Sequence, residues 1–370
     1  MNSTLQTQNK TVYLIVDGMT ETVAENSTLS VARTPSIDGL INDQSDIGFY
    51  QPVISPWDTE PKTDVVIPHF FGLPAQYSPG RTALELLDNG IAIETSLHCL
   101  ELKIRFQSQI HEENWVNLRK VPDSLMVLVE AEMKRILGNS DHFVISKATE
   151  SGARILLYHK DEQWLQGARS VIVSVCNGHG LAVVDGLKNS FGKEILAYQH
   201  NQRNVLLIGW AKGSLRGALR FCGLDVNEFT RKRDDFYNWS QYYRNFDEWV
   251  VPRLLSGPFY QKYVLYTKET SFAARRGDKT NKREAIEFMD TILWRFLSVF
   301  PNQTFNIVVC NDHSADINGL TNPSENTCFA LLKGSFNSIN RNPGVKFSEA
   351  YIASLGKSVI SQDEVLLKID

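Results

Sequence analysis

The sequence predicts an α/β fold: a central sheet with helices on both faces, and a smaller α/β domain inserted into it. Three stretches carry that reading. Thr11–Val16 is mostly β-branched and alternates little, as an interior strand of a parallel sheet does. Phe305–Cys310 is a second such run, and a long helical pattern leads into it. Between them, residues 121–250 carry strand-like and helical runs of their own.

The bulk numbers set bounds. The chain has 370 residues, enough for two domains. Its 42% hydrophobic and 22% charged content is that of an ordinary soluble protein. A net charge of -4 argues against broad electrostatic capture of nucleic acid. The 5 cysteines are scattered, without zinc-ligand or redox spacing. The first ten residues are polar and lead straight into a strand, and no apolar run is long enough to span a bilayer. The expectation is a cytoplasmic protein with reduced thiols and no membrane partner.

Taken in order, the first strand ends in Asp17-Gly18. Ligands of open α/β sheets collect at the carboxyl ends of strands, so Asp17 stands where a metal carboxylate would. On these residues alone it is equally a turn or helix-cap aspartate. Thr34-Pro35 starts a loop and helix. Thr63 reads as the first residue of a helix, where the field of the helix end and a nearby ion would lower the cost of an alkoxide. Read alone, it is a plain capping threonine. Gly80-Arg81 opens a short helix through Leu87, and strand pattern follows over 91–106.

Asp123 or Ser124 caps a helix over 125–137, closed by Gly138. Residues 155–158, 171–175 and 205–208 look like strands, and Asn177-Gly178-His179-Gly180 like a surface turn. Arg231-Lys232-Arg233 is followed by aromatics but interleaved with acids, which suits a linker face better than nucleic acid. Residues 263–266 return a strand to the main sheet. A loop over 268–278 then leads to a helix over 282–300, with Ile286, Met289, Leu293 and Phe296 on one face.

That helix delivers the next strand and Asn311-Asp312-His313-Ser314. An acid and a histidine where a strand turns can both aim at one ion, and carboxylate with imidazole suits Zn²⁺ or Mn²⁺.

Asp17-Gly18, Thr34-Pro35, Thr63, Gly80-Arg81 and Asp312-His313-Ser314, in this order, resemble the alkaline phosphatase superfamily. Within it the chain is most similar to the archaeal-type cofactor-independent phosphoglycerate mutases. The likeness covers most of the chain thinly. Residues 63–72 run without a gap against the family's nucleophile segment, with Thr63 where the family has serine. Gly80-Arg81-Thr82-Ala83-Leu84-Glu85 with Asn89-Gly90-Ile91 is similar to a second block. So are Ser214-Leu215-Arg216-Gly217 through Gly223-Leu224-Asp225-Val226, residues 268–290, and Lys346-Phe347-Ser348-Glu349.

The resemblance implies an alkaline-phosphatase-like core of residues 1–120 and 251–370, with 121–250 as an inserted substrate or cap domain. It implies one ion held by Asp17, Thr63, Asp312 and His313, all present. The family's second ion takes an aspartate, a histidine four residues on, and a histidine beyond the Asp-His pair. Here Ser271 and Arg275 stand at the first two positions, and no histidine follows His313, where Asn322 and Ser324 occur.

One divalent ion is therefore expected, Mn²⁺ or Zn²⁺, with Mg²⁺ also suitable. Arg275, or its neighbour Arg276, would supply the lost charge, since a guanidinium binds phosphate-type oxygens and stays charged. Lys268, Arg216 and Arg220 are the expected substrate contacts. One-metal branches of the superfamily, such as the lipoteichoic acid synthases and sulfatases, are similar in this respect. The implied activity is transfer or hydrolysis of a small phosphate, phosphonate or related ester with Thr63 as nucleophile, rather than housekeeping mutase activity. The alternative is a catalytically silent, metal-binding scaffold.

Overall fold

Every residue of strand β1 (Thr11–Val16) is buried in this computed structural model, as a strand covered on both faces must be. The structure describes residues 10–22, 26–56, 61–93, 97–107, 121–138, 143–149, 152–190, 203–209, 213–222, 224–229, 237–256, 260–317 and 327–369.

After β1 come α1 (Thr28–Val31), α2 (Pro35–Asp38), β2 (Asp46–Gln51), α3 (Thr63–His69), α4 (Arg81–Asp88) and β3 (His98–Phe106). The middle of the chain gives α5 (Asp123–Leu137), β4 (Phe143–Thr149), β5 (Gly152–His159), α6 (Glu162–Gly178) and β6 (Leu181–Ser190). Then follow β7 (Arg203–Gly209), α7 (Gly213–Phe221), β8 (Leu224–Phe229), α8 (Trp239–Asn245) and α9 (Val251–Ser256). The last part holds β9 (Lys262–Thr267), α10 (Glu269–Arg275), α11 (Lys279–Val299), β10 (Phe305–Cys310), β11 (Thr327–Gly334), α12 (Glu349–Ser354), β12 (Ile360–Ser361) and α13 (Gln362–Ile369).

The chain divides into two compact units. One comprises Met1–Gln76, Asn201–Lys212 and Cys222–Asp370; the other comprises Tyr77–His200 and Gly213–Phe221.

The larger unit holds an eight-stranded sheet in the order β12-β2-β11-β10-β1-β9-β7-β8. β11 runs antiparallel to both its neighbours, and the remaining pairs are parallel. Ile286, Met289, Leu293 and Phe296 of α11 are buried against one face, with Val12, Leu14 and Ile307. Phe71, just after α3, meets Tyr13 on the other face at a ring separation of 4.8 Å. The sheet thus has helices on both sides, as the sequence predicts.

Register fixes what stands at its working edge. Ile15 pairs with Cys310 and Val16 with Thr267. One residue further, Asp17 leaves β1 between Lys268 leaving β9 and the Asn311-Asp312-His313 turn leaving β10. Three parallel strands therefore end side by side.

The smaller unit is built on an antiparallel four-stranded sheet, β4-β5-β3-β6. Met126, Val129 and Met133 of α5, with Leu165, Ile172 and Val175 of α6, bury one face against Leu100, Leu102 and Ile104. α4 lies on the other face, where Ala83 and Leu86 meet Cys99, Leu156 and Tyr158. α7 approaches α4 so closely that a Cβ on Gly217 would overlap the Leu84 carbonyl.

Four expectations change. Residues 205–208 are in the main sheet, because β7 pairs in parallel with β9. α4 and β3 belong to the smaller unit, because β3 pairs with β5 and β6. Residues 171–175 lie inside α6; their β-branched run is part of the helical stripe Leu165, Ala168, Ile172 and Val175. Residues 268–278 contain α10 rather than a plain loop. Arg231, Lys232 and Arg233 lie outside the described residues, as do Asn322 and Ser324. Among the described residues, no helix is long and apolar enough to cross a membrane.

Candidate metal centre

Asp17, Asp312 and His313 are buried and each offers a ligand atom, all within 4.8 Å of one another. His313 Nε2 lies 3.5 Å from Asp17 Oδ1. Its Nδ1 lies 3.0 Å from Asp312 Oδ2, a close charge contact without hydrogen-bond alignment. Asp312 Oδ1 is buried and accepts no hydrogen bond. Two acids and an imidazole converging on one point, with a bare carboxylate oxygen among them, fit a divalent cation. Burial disfavours the charged imidazole, but the Asp312 and Asp17 carboxylates outweigh it and raise the His313 pKa.

Thr63 opens α3, as expected, and its hydroxyl donates to Asp312 Oδ2. The residue is buried, so this hydroxyl belongs to the cluster.

Local hydrogen bonds hold the turns after β1 and β10. Asn311 Nδ2 donates to Thr20 Oγ1 at 2.8 Å and to the His313 carbonyl at 2.7 Å. Its Oδ1 accepts from Cys328 N at 3.1 Å, and its carbonyl accepts from the Tyr50 hydroxyl. These bonds turn adjacent Asp312 and His313 toward one point. Gly18 has φ +71, and a Cβ there would come within 2.8 Å of the Ala315 Cβ. Only glycine lets the chain turn so tightly after Asp17.

Lys282 joins the turns from beneath. It is completely buried, and its Nζ donates to Glu21 Oε1 at 3.1 Å and the Ala315 carbonyl at 2.5 Å. Ala315 N in turn donates to the Thr20 carbonyl at 2.9 Å. Glu349 completes the support, accepting from Glu21 N at 3.2 Å and Ser27 Oγ at 2.6 Å. Lys282 is not among the site residues expected from the sequence, although it precedes Ile286 by four residues on the buried stripe of α11. A lysine on an apolar stripe needs a buried acceptor.

The cation at the site is Lys268. Its side chain is 1% exposed and its Nζ lies 2.6 Å from Asp17 Oδ2, which also accepts from the Tyr266 hydroxyl at 2.9 Å. Burial, with Asp17 and Asp312 nearby, pushes the Tyr266 hydroxyl well up, so it remains a donor. Lys268, expected on the substrate, is engaged by Asp17.

Ser271 is buried one turn along α10, beside Gly18, and its Oγ makes no hydrogen bond. Arg275 is half-buried in the last turn of α10, and Arg276, just beyond it, is exposed. Arg275 makes no hydrogen bond or ion pair among the described residues, so no contact draws it into the cluster. Arg216 and Arg220 both pair with Asp88 at 2.5 Å, tying α7 to α4. His179 caps α6 and lies 3.1 Å from Glu132, in keeping with a turn histidine.

No protein-family model matches this sequence, and no curated protein matches it. Solved structures do. A protein of Pyrococcus horikoshii superposes with a TM-score of 0.64 at 16% identity, over 98% of this chain and 96% of that one. The cofactor-independent phosphoglycerate mutase of Thermoplasma acidophilum gives 0.50 at 15% identity, over 97% and 98%. These superpositions, over nearly the whole of each chain, show the fold: the chain has the alkaline-phosphatase-like fold, in the form found in a cofactor-independent phosphoglycerate mutase.

Proposed function

We propose that the chain transfers or hydrolyses a phosphoryl, phosphonyl or related ester group, with one divalent ion and Thr63 as nucleophile. The observation that carries this is the Thr63 hydroxyl bonded to Asp312 inside the Asp17–Asp312–His313 cluster.

Asp17, Asp312 and His313 would hold the ion, with the Thr63 oxygen beside it. When bound, the ion lowers the cost of a threonine alkoxide and neutralises substrate charge. The Thr63 hydroxyl would lose its proton to Asp312 Oδ2, the oxygen that accepts its hydrogen bond. The Thr63 oxygen forms the new bond to phosphorus as the bond to the leaving oxygen breaks. The departing oxygen takes a proton from solvent. Water or an acceptor alcohol then takes the phosphoryl group and gives its proton to solvent, while the Thr63 oxygen regains a proton from Asp312.

The family's second ion would have no ligands in Ser271 and Arg275. Lys268 caps α10 and Arg275 follows two turns on, so the two would supply positive charge in its stead. Arg276 substitutes if the last turn rotates. The Thermoplasma neighbour acts on phosphoglycerate, which therefore belongs in a test panel with simple phosphomonoesters, phosphodiesters and phosphonates.

Thr63→Ala should abolish turnover on every accepted substrate while retaining the ion. Arg275→Ala should retain the ion and lower turnover about 100-fold or more. Equal activity in parent and Thr63→Ala would refute the nucleophile assignment.

The Lys268–Asp17 pair favours a second reading, a catalytically silent binder, because a buried ammonium already neutralises one ligand. A chain that binds Mn²⁺ yet turns over nothing in the panel would establish that reading.

A further inference from the structure

The smaller unit carries two cations, Lys103 and Arg105, that make no ion pair among the described residues. Alternation along β3 puts Glu101, Lys103 and Arg105 on the sheet face opposite Leu100, Leu102 and Ile104. Lys103 stands directly across from Arg154 of β5. Like charges at directly opposed strand positions destabilise a sheet.

Among the described residues, the nearby carboxylates Glu85 and Glu101 both face Arg154. Arg154 Nη1 lies 2.8 Å from Glu85 Oε1 and 3.4 Å from Glu101 Oε1. Arg81 Nε donates to the same Glu85 oxygen at 3.0 Å. Lys103 and Arg105 are half-buried, and neither makes a hydrogen bond or ion pair among the described residues. Arg105 Nε is fully shielded and has no acceptor. A buried N–H of a charged group left without an acceptor costs more than a neutral one. Burial depresses the Lys103 ammonium below the usual lysine range; Glu101 opposes this, while Arg81, Arg105 and Arg154 add to it. The four cations therefore sense one another.

α4 covers the Cys99, Leu156 and Tyr158 end of this face. Lys103 and Arg105 lie along β3 away from that end, partly exposed. The arrangement wants an anion with several acceptor oxygens.

We propose that Lys103 and Arg105, flanked by Arg154 and Arg81, bind the dianionic phosphate or phosphonate group of a ligand. The oxygens would accept from Arg105 and Lys103 and relieve the Lys103–Arg154 repulsion. This site stands independently of the metal-centre reading.

The test is calorimetric titration of the full chain with inorganic phosphate, at constant ionic strength and with chelator present. Saturable one-site binding is expected in the parent and in Asp312→Ala. The double variant Lys103→Met/Arg105→Met should raise Kd about tenfold or more, the size expected for losing charged hydrogen bonds. Without phosphate that variant should melt no lower than the parent, because a repulsion has gone. Methylphosphonate and glycerol phosphate binding as well would assign the site to the terminal group of a larger ligand. Binding of phosphate alone would assign it to the free ion. Absence of saturable binding, unchanged affinity in the double variant, or loss of binding in Asp312→Ala would overturn the proposal.

Discussion

Lys268 Nζ lies 2.6 Å from Asp17 Oδ2, and both side chains are closed to solvent. Removing one member of a buried pair leaves the other charge uncompensated, which costs about 3–5 kcal/mol. Lys268→Met should therefore lose about that much stability under chelation. A divalent ion on Asp17 would supply the missing charge, so Mn²⁺ should raise the melting temperature of the variant more than that of the parent. Thermal scans with and without chelator check this. A variant as stable as the parent without metal would show that the pair matters little.

Lys282 should act on both stability and metal binding. Lys282→Met removes the donor shared by Glu21 and the Ala315 carbonyl, leaving the buried Glu21 carboxylate with its Thr28 hydrogen bonds but without its cation. We expect a loss of about 3–5 kcal/mol and weaker metal binding, because the turns after β1 and β10 lose their common anchor. Urea unfolding and metal titration measure the two effects. Weakened stability with unchanged metal affinity would separate Lys282 from the site.

Asp290 predicts a pH dependence. It accepts from Ser36 N at 3.1 Å, Ser36 Oγ at 2.9 Å and Ile37 N at 2.9 Å, tying α11 to α2. Burial raises its pKa from 3.8 to about 6, against those hydrogen bonds. The folded state then binds more protons than the unfolded state between these values, so stability falls as pH rises through the window. A shift of this size corresponds to about 3 kcal/mol. Compared with Asp290→Asn, the parent should lose stability between about pH 4 and 7. Parallel urea profiles for the two proteins across that range would contradict the assignment.

The elements that position the site were the most legible in the sequence. Thr11–Val16 and Phe305–Cys310 are buried on both faces, so their side chains have little choice but to be apolar and β-branched. Thr63 as a helix start and the α11 stripe were equally plain. What the sequence hid depends on pairing between distant strands. Nothing local says that 205–208 joins β9 instead of the smaller unit, because a strand looks the same in either sheet. Lys268 and Arg275 are both cations near one segment. Only the register of Val16 with Thr267 turns the first onto Asp17. Arg216 and Arg220 looked available for substrate because Asp88, their partner, is 128 and 132 residues away in sequence.

Metal stoichiometry tests the central claim most directly. The parent, stripped with chelator, reloaded with Mn²⁺ or Zn²⁺ and weighed by native mass spectrometry, should carry one ion per chain. Asp312→Ala and His313→Ala should carry none, while Thr63→Ala keeps its ion. Two ions in the parent, or one ion retained after either ligand is removed, would contradict a single site built on Asp17, Asp312 and His313.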